Sequence, residues 1–199
     1  MNRSDGSLLI RNATAADAEL LCAWWNDGAV MAHAGFPLGL GTTAEKIRES
    51  LEKDDDAVHR RCILEHGGAP IGEMNYRSIG AGAAEVGIKI CEASEQNKGL
   101  GTRALRLFFH SLFADYGYEK IVLDTNQNNL RAQHVYEKLG FRRLRLNENA
   151  WTDQLGVPQS SIDYELSKAD FYRLNKANLS HAQCDFCGQG RARGKTRNA

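Results

Sequence analysis

The apolar positions of this chain change period several times, and each change marks an element. Leu8-Leu9-Ile10 is a short apolar run that reads as a first strand. Thr14, three residues before Asp17, has capping-box spacing, and Leu20, Leu21, Trp24 and Trp25 then share one face of a helix reaching about Asp27. Residues 31–41 are punctuated by Gly and Pro and read as loop. Thr42 and Glu45 repeat the cap spacing for a second helix that ends near Lys53. Residues 58–65 and 70–79 read as strands joined by a hairpin turn at His66-Gly67-Gly68-Ala69. A third run, residues 84–91, completes an antiparallel meander.

The period then turns helical over residues 99–113, where Leu100, Ala104, Leu105, Phe108 and Leu112 recur on one face. Residues 120–125 are a short strand. Strand, helix and strand in succession form a crossover, so residues 84–91 and 120–125 are expected as parallel neighbours. A second helix spans residues 129–139, with Ala132, Val135, Tyr136 and Leu139 on its apolar face and Gly140 as its C-cap. Residues 141–146 and 161–166 look like a closing pair of strands around a loop containing Trp151 and Pro158, and residues 168–178 read as a last helix. No internal repeat is visible.

Composition changes this picture little. At 199 residues, 42% hydrophobic and 25% charged, the chain fits one globular domain with a substantial core. Its 25 basic and 25 acidic side chains cancel, which singles out no nucleic-acid or membrane partner. The charge is uneven, since residues 173–199 hold six Lys/Arg and one Asp, leaving a mildly acidic body and a basic tail. The N-terminus shows no signal-peptide pattern, and no apolar run approaches the ~18 residues of a membrane span. Cys22, Cys62, Cys91, Cys184 and Cys187 are odd in number and irregularly spaced, which reads as reduced thiols and a cytoplasmic protein.

The chemistry centres on Gln96-Asn97-Lys98-Gly99-Leu100-Gly101-Thr102. Two glycines one residue apart, after a strand and opening a helix, let the backbone approach a phosphate, which free amides and the helix dipole then bind. Lys98 adds a charge. A dinucleotide fingerprint is disfavoured, because the third glycine and the acidic residue after the next strand do not fit. A phosphate-binding P-loop lacks its Gly-Lys-Ser/Thr ending.

One crossover later stands Asn129-Leu130-Arg131-Ala132-Gln133-His134-Val135-Tyr136-Glu137-Lys138-Leu139-Gly140-Phe141. Gln-x-x-Gly-x-Gly, followed at this separation by Asn-x-x-Ala-x-x-x-Tyr-Glu-Lys-x-Gly-Phe, resembles the two core motifs of GNAT N-acetyltransferases. The order of elements is similar to that family over about residues 7–168. The resemblance implies a GNAT-like α/β (α+β) acyl-CoA N-acyltransferase fold: a mostly antiparallel, splayed sheet of about seven strands with flanking helices. The domain would span residues 1–168, with a C-terminal helix and basic tail over 169–199. The branch it looks closest to holds ribosomal-protein N-terminal and small-amine or aminoglycoside acetyltransferases.

It also implies acetyl-CoA as co-substrate and direct transfer of acetyl to a primary amine. Ile88, Ile90 and Cys91 would present the strand edge to the pantetheine arm, with an amide around Ile90 polarising the thioester. Residues Gln96, Asn97, Lys98, Gly99, Leu100, Gly101 and Thr102 would hold the pyrophosphate, and Asn129 and Lys138 would complete the cofactor site. Tyr136 would protonate the departing thiolate, since a phenol near 10 is matched to a thiol near 8.5. Glu85 is the first candidate for the base that takes the amine's proton, and Glu73 the second. Cys91 lacks the His and Asp partners of a nucleophile. Trp24, Trp25, His33 and Phe36 would wall the acceptor, although either tryptophan could instead anchor its helix to the sheet.

Three other features receive no catalytic role. His110 and His134 lie on helices as packed or exposed side chains. The acidic run Asp54-Asp55-Asp56 could attract a cation or simply be a solvated loop. Cys184-Asp185-Phe186-Cys187-Gly188, with His181 three residues earlier, resembles half of a zinc knuckle; structural zinc takes four ligands, so no metal is expected. The expected partners are an amine substrate and a second copy in a homodimer, without membrane or nucleic acid. A non-catalytic acyl-CoA sensor, with the basic tail as its contact surface, is the competing reading.

Overall fold

In chain order, the strands are β1 (Asn2–Asp5), β2 (Leu8–Asn12), β3 (His59–His66), β4 (Ala69–Ser78), β5 (Ala83–Ile90), β6 (Lys120–Asn126), β7 (Arg142–Thr152) and β8 (Pro158–Ser167). The helices are α1 (Ala18–Trp25), α2 (Gly28–Met31), α3 (Ala44–Leu51), α4 (Leu100–Ala114), α5 (Leu130–Lys138) and α6 (Lys168–Ala182). These elements come from a computed structural model that describes residues 1–182. Cys184, Cys187 and the basic residues after them lie outside the described residues, as does the side chain of His181. Among the described residues no group of three His, Cys, Asp or Glu is placed to hold a metal ion, and no helix is long and apolar enough to cross a membrane.

The strands form one sheet in the order β1-β2-β3-β4-β5-β6-β8-β7. Only β5 and β6 pair in parallel. Eight strands stand where about seven are expected. The extra one, β1, is exposed along its whole length and pairs with β2 through main-chain bonds alone, so no apolar period marks it.

Alternation sends the two faces of the sheet to different partners. Leu64, Met74, Tyr76, Val86, Ile121, Leu123, Ile162 and Tyr164 face the larger core, which α4, α5 and Phe171 of α6 cover. Ile63 and Cys91 point the other way and meet Leu21 and Trp24 of α1 and Ile47 and Leu51 of α3. Between β3 and β8 that second face is polar.

Three local expectations need correction. Thr43 caps α3, its hydroxyl accepting from the Lys46 amide at 3.4 Å; Thr42 instead exchanges two bonds with the Asn26 side chain, each 2.9 Å. The expected loop begins inside α2, capped by Asp27 accepting from the Ala29 amide at 2.8 Å, and continues as a tight turn over Ala32–Ala34. The closing strands run on to Thr152 and from Pro158, past β-bulges that interrupt the apolar alternation.

The parallel pairing is short. Ala83, Ala84 and Glu85 pair with Lys120, Ile121 and Val122, and the ladder stops there. Beyond Glu85 the two strands diverge and leave an opening between them.

Candidate active site

The opening has a main-chain side. The Cys91 amide donates to the Ile71 carbonyl at 2.9 Å, so alternate residues of β5 turn their amides toward β4. By the same alternation Ile88 and Ile90 turn theirs toward the opening. Cys91 is thereby removed from the expected cofactor edge.

Beyond β5, one turn over Ala93–Glu95 leads into the glycine loop. Asn97 and Gly99 have positive φ, +61° and +76°, and the second is a conformation that suits glycine alone without strain. Gly99 is the N-cap of α4 and offers no side chain, while Arg103 is the first residue whose amide reaches back, to the Gly99 carbonyl at 3.2 Å. The amides of Leu100, Gly101 and Thr102 therefore lack intrahelical partners at the positive end of a 15-residue helix. Leu100, 3% exposed, pins the loop to the core.

The side chains of this loop serve partly as braces. Gln96 donates to the Ile90 carbonyl at 3.0 Å and accepts from Arg131 at 2.9 Å, tying β5 to the first turn of α5. Lys98 lies 2.9 Å from Glu95, whose other oxygen is 3.0 Å from His66 Nδ1. Asn129 caps α5, accepting from the Ala132 amide at 3.2 Å. Lys138 is exposed at the far end of α5, ~13 Å along the axis from Asn129. Arg131 is the basic residue beside the loop; its place two residues after Asn129 was the available signal.

Tyr136 reaches the opening from the larger core. It is 7% exposed, packs on Phe141 and Tyr164 at 5.7 and 5.9 Å between centroids, and its hydroxyl has no hydrogen-bond partner among the described residues. Burial first, then the charges of Asp124 and Tyr164, push its pKa up to about 12. On the α1–α3 side of the sheet, the Cys91 thiol is pushed to about 12 by burial and then by Glu73, so it is protonated at neutral pH and is no nucleophile.

On the other face the register lays out a grid. One row across the strands runs Arg61, Asn75, Gly87; the next runs Ile63, Glu73, Lys89; the preceding one, His59, Arg77, Glu85. Across the opening Val122 stands opposite Glu85, and Asp124 is two residues further along β6, paired with Asp163 of β8. Glu85 is held in an ion pair by Arg77. Asp163 is held by Arg145 at 2.7 Å and Asn147 at 2.8 Å. Asp124 has no side-chain partner among the described residues. Asp124 is exposed to solvent at the cleft, and partial burial, then Glu85 and Asp163, raise its pKa above the ordinary aspartate range. Sequence pattern pointed to Glu85 and passed over Asp124, an isolated polar residue in an apolar strand.

Glu73 is 3% exposed, and one of its oxygens accepts from both Trp25 Nε1 and Lys89 Nζ at 2.9 Å. It is a neutralised anchor. The two tryptophans divide their roles: Trp24, 6% exposed, fixes α1 through Glu92 at 2.9 Å, while Trp25 lines a cavity of about 260 Å³ with Leu40, His59, Arg61, Glu73, Asn75 and Lys89. His33 is exposed on the turn after α2, and Phe36 is half-buried. The loop holding them is clasped by Gln154 of the β7–β8 turn. Gln154 donates its amide to the Gly35 carbonyl and Nε2 to the Gly39 carbonyl, and accepts from the Leu38 amide, at 3.0, 2.8 and 3.0 Å. Trp151 lies directly against Gly35.

Residues 7–142 match a family model described as an acetyltransferase (GNAT) domain. The chain is 29% identical over 158 residues to an aminoglycoside N(6')-acetyltransferase type 1 of Klebsiella pneumoniae, an alignment covering 72% of this chain and 78% of that protein. Spermidine N-acetyltransferase from Vibrio cholerae, solved with CoA and spermine, superposes with a TM-score of 0.76 at 20% identity, covering 84% of this chain and 99% of the other. RimL, a ribosomal L7/L12 alpha-N-protein acetyltransferase solved with CoA, does so with a TM-score of 0.73 at 16% identity over 83% and 96%.

Proposed function

We propose, on the premise that this chain belongs to the GNAT family of acetyltransferases, that acetyl passes from acetyl-CoA to an amine through the opening between β5 and β6. The chain is an N-acetyltransferase, and the sensor reading falls with that. In the proposed geometry the free amides at Leu100 to Thr102 take the pyrophosphate, supported by Lys98 and Arg131. The edge of β5 at Ile88 and Ile90 aligns the pantetheine arm, and the Ile90 amide polarises the thioester carbonyl.

The amine's lone pair attacks that carbonyl carbon from the side of the polar face. The C–S bond breaks, and the thiolate takes the phenolic proton of Tyr136. The new amide nitrogen loses its proton to Asp124, directly or through water. With its pKa raised to about 12 by burial, the phenol stays protonated at neutral pH and is available to donate to the departing thiolate.

The observation that carries this reading is the opening itself: the parallel pairing of β5 and β6 stops at Glu85 and Val122, with Asp124 two residues further along β6 and the glycine loop at the end of β5. Glu85 gives up the base role because its carboxylate is already engaged by the Arg77 guanidinium. The test is release of free CoA over a panel of peptides, polyamines and aminoglycosides, with Asp124→Asn and Tyr136→Phe alongside wild type. Turnover left intact in Asp124→Asn would overturn the base assignment; no turnover on any amine would overturn the function. Free Cys22, Cys62 and Cys91 suit the reducing compartment in which we place the enzyme, the cytoplasm.

A further inference from the structure

The polar face on which the acceptor lies is bipolar. Five carboxylates of β4, β5, β6 and β8 project from it: Glu73, Glu85, Asp124, Asp163 and Glu165. Four already have their own cation, as Glu73–Lys89, Glu85–Arg77, Asp163–Arg145 and Glu165–Arg142. Among the described residues only Asp124 is left to attract a charge, and it stands at the amine's place in the opening. A polycation would therefore find one free carboxylate among the five on this stretch of the face.

Across β5 and β4 the character reverses. The cavity beside Trp25 shows a ligand Lys89, 30% exposed at its side chain, His59 at 37% and the edge of Arg61 at 9%. Their carboxylate partners are far less exposed: Glu73, which also lines the cavity, is 3% exposed at its side chain and Asp54 2%. Lys89 and Arg61 are thus each held by a carboxylate while they line the cavity, with the His59 ring beside them. Lys89 has three donors and uses one on Glu73. The Asn75 side-chain amide borders the same cavity with no partner among the described residues. It fits because its neighbour across the strands is Gly87; a Cβ there would fall 2.9 Å from Asn75 Nδ2.

Resting on the acetyltransferase reading above, we infer that the acceptor is a bipolar molecule. Its amine sits by Asp124, and an anionic group, carboxylate or phosphate, lies in the Trp25–His59–Arg61–Lys89 cavity. Arg61 on β3 and Asp124 on β6 are three strand spacings apart, so amine and anion are separated by about 14 Å or somewhat more. Trp25 and Leu40 supply the apolar wall along which the connecting part of the molecule lies.

The experiment is CoA release with four acceptors of equal chain length spanning about that distance: an ω-aminoalkanoate, an ω-aminoalkyl phosphate, the α,ω-diamine and the plain alkylamine. Acetyl-CoA binding is measured separately by calorimetry. The expected result is a kcat/KM for one of the two anionic acceptors about tenfold or more above that of the diamine, and the better of the two identifies the anion. Lys89→Met and His59→Gln should each cut that ratio several-fold. The wild-type ratio stands on its own if either variant fails to fold. Equal rates across the four, or a preference for the diamine, would overturn the bipolar acceptor and leave acetyl transfer standing. Bound acetyl-CoA with no release on any of the four would overturn the bipolar acceptor, and only silence on the peptide, polyamine and aminoglycoside panel as well would remove the function with it.

Discussion

On the cofactor side of the opening the proposed binding groups are main chain: the amides of Leu100, Gly101 and Thr102 at a helix start, and those of Ile88 and Ile90 on a strand edge. On the acceptor side they are side chains, fixed in pairs such as Glu73 with Lys89 and Asp54 with Arg61. A main-chain site is set by backbone shape, so it tolerates almost any residue except at a glycine. A side-chain site is set by residue identity at each grid position. The first can be kept while the second changes, and substitutions should therefore separate the two sides cleanly.

The largest effect should fall where the sides meet. Asp124→Asn and Tyr136→Phe are each expected to lower kcat by about 10²-fold or more, with acetyl-CoA affinity kept. In wild type kcat should climb with pH through a limb set above the ordinary aspartate range, and Asp124→Asn should abolish that limb. No fall on the alkaline side is expected up to about pH 10, because the phenol stays protonated until about 12. Glu85→Gln should change kcat by less than about fivefold, since its carboxylate is paired to Arg77.

Next comes the loop. Gly99→Val forces a branched residue into a left-handed conformation at +76°, which costs about 1–2 kcal/mol and tilts the amides it precedes. Acetyl-CoA affinity, read by calorimetry, should fall about tenfold, with the order of preference among acceptors unchanged. A changed order would mean that the two sides are coupled through this loop.

The same division explains what the chain made legible. Backbone sites need glycines and caps at fixed spacing, and these stand in linear order: Gln96, Gly99, Gly101, Asn129. The loop, its helix and the short parallel pairing were therefore readable. The acceptor side depends on register. That Gly87 lies beside Asn75, or that Asp124 is free while Glu85 is paired, follows from how β4, β5 and β6 align, which no single segment states. Thr42 and Thr43 could not be told apart because only Asn26, sixteen residues earlier, decides which of them caps α3. Strand β1 escaped because it buries nothing.

A smaller effect should appear at the roof. Gln154→Ala removes two of three bonds that clasp residues 35–39, leaving the one made by its backbone amide. The acceptor KM should rise about three- to tenfold while the acetyl-CoA KM holds, the amount expected for two net hydrogen bonds of about 0.5–1 kcal/mol each. An equal rise in both would show that the clasp orders the whole cleft and not the acceptor side alone.

The smallest effect is on stability, and its sign separates two aspartates. Asp54 lies almost fully buried, but hydrogen bonds and charge from Arg61 outweigh that burial and hold its pKa below the usual value. Its ionised form stabilises the fold above the unfolded value of about 3.9 and loses that contribution as pH falls. Asp124 is the reverse case. Burial and two neighbouring carboxylates raise its pKa, so ionisation costs the folded state more than the unfolded chain. The cost is absent below about pH 3.9, grows as pH rises through that value, and is complete above the folded pKa. Because Asp124 is exposed to solvent, which screens most of that cost, Asp124→Asn should melt at or slightly above wild type at pH 7, with any gain shrinking as the pH approaches 4. A gain in stability coupled to lost turnover would mark Asp124 as held at a cost for its chemistry. A loss of stability at pH 7 would instead place a partner on its carboxyl and remove it as the base.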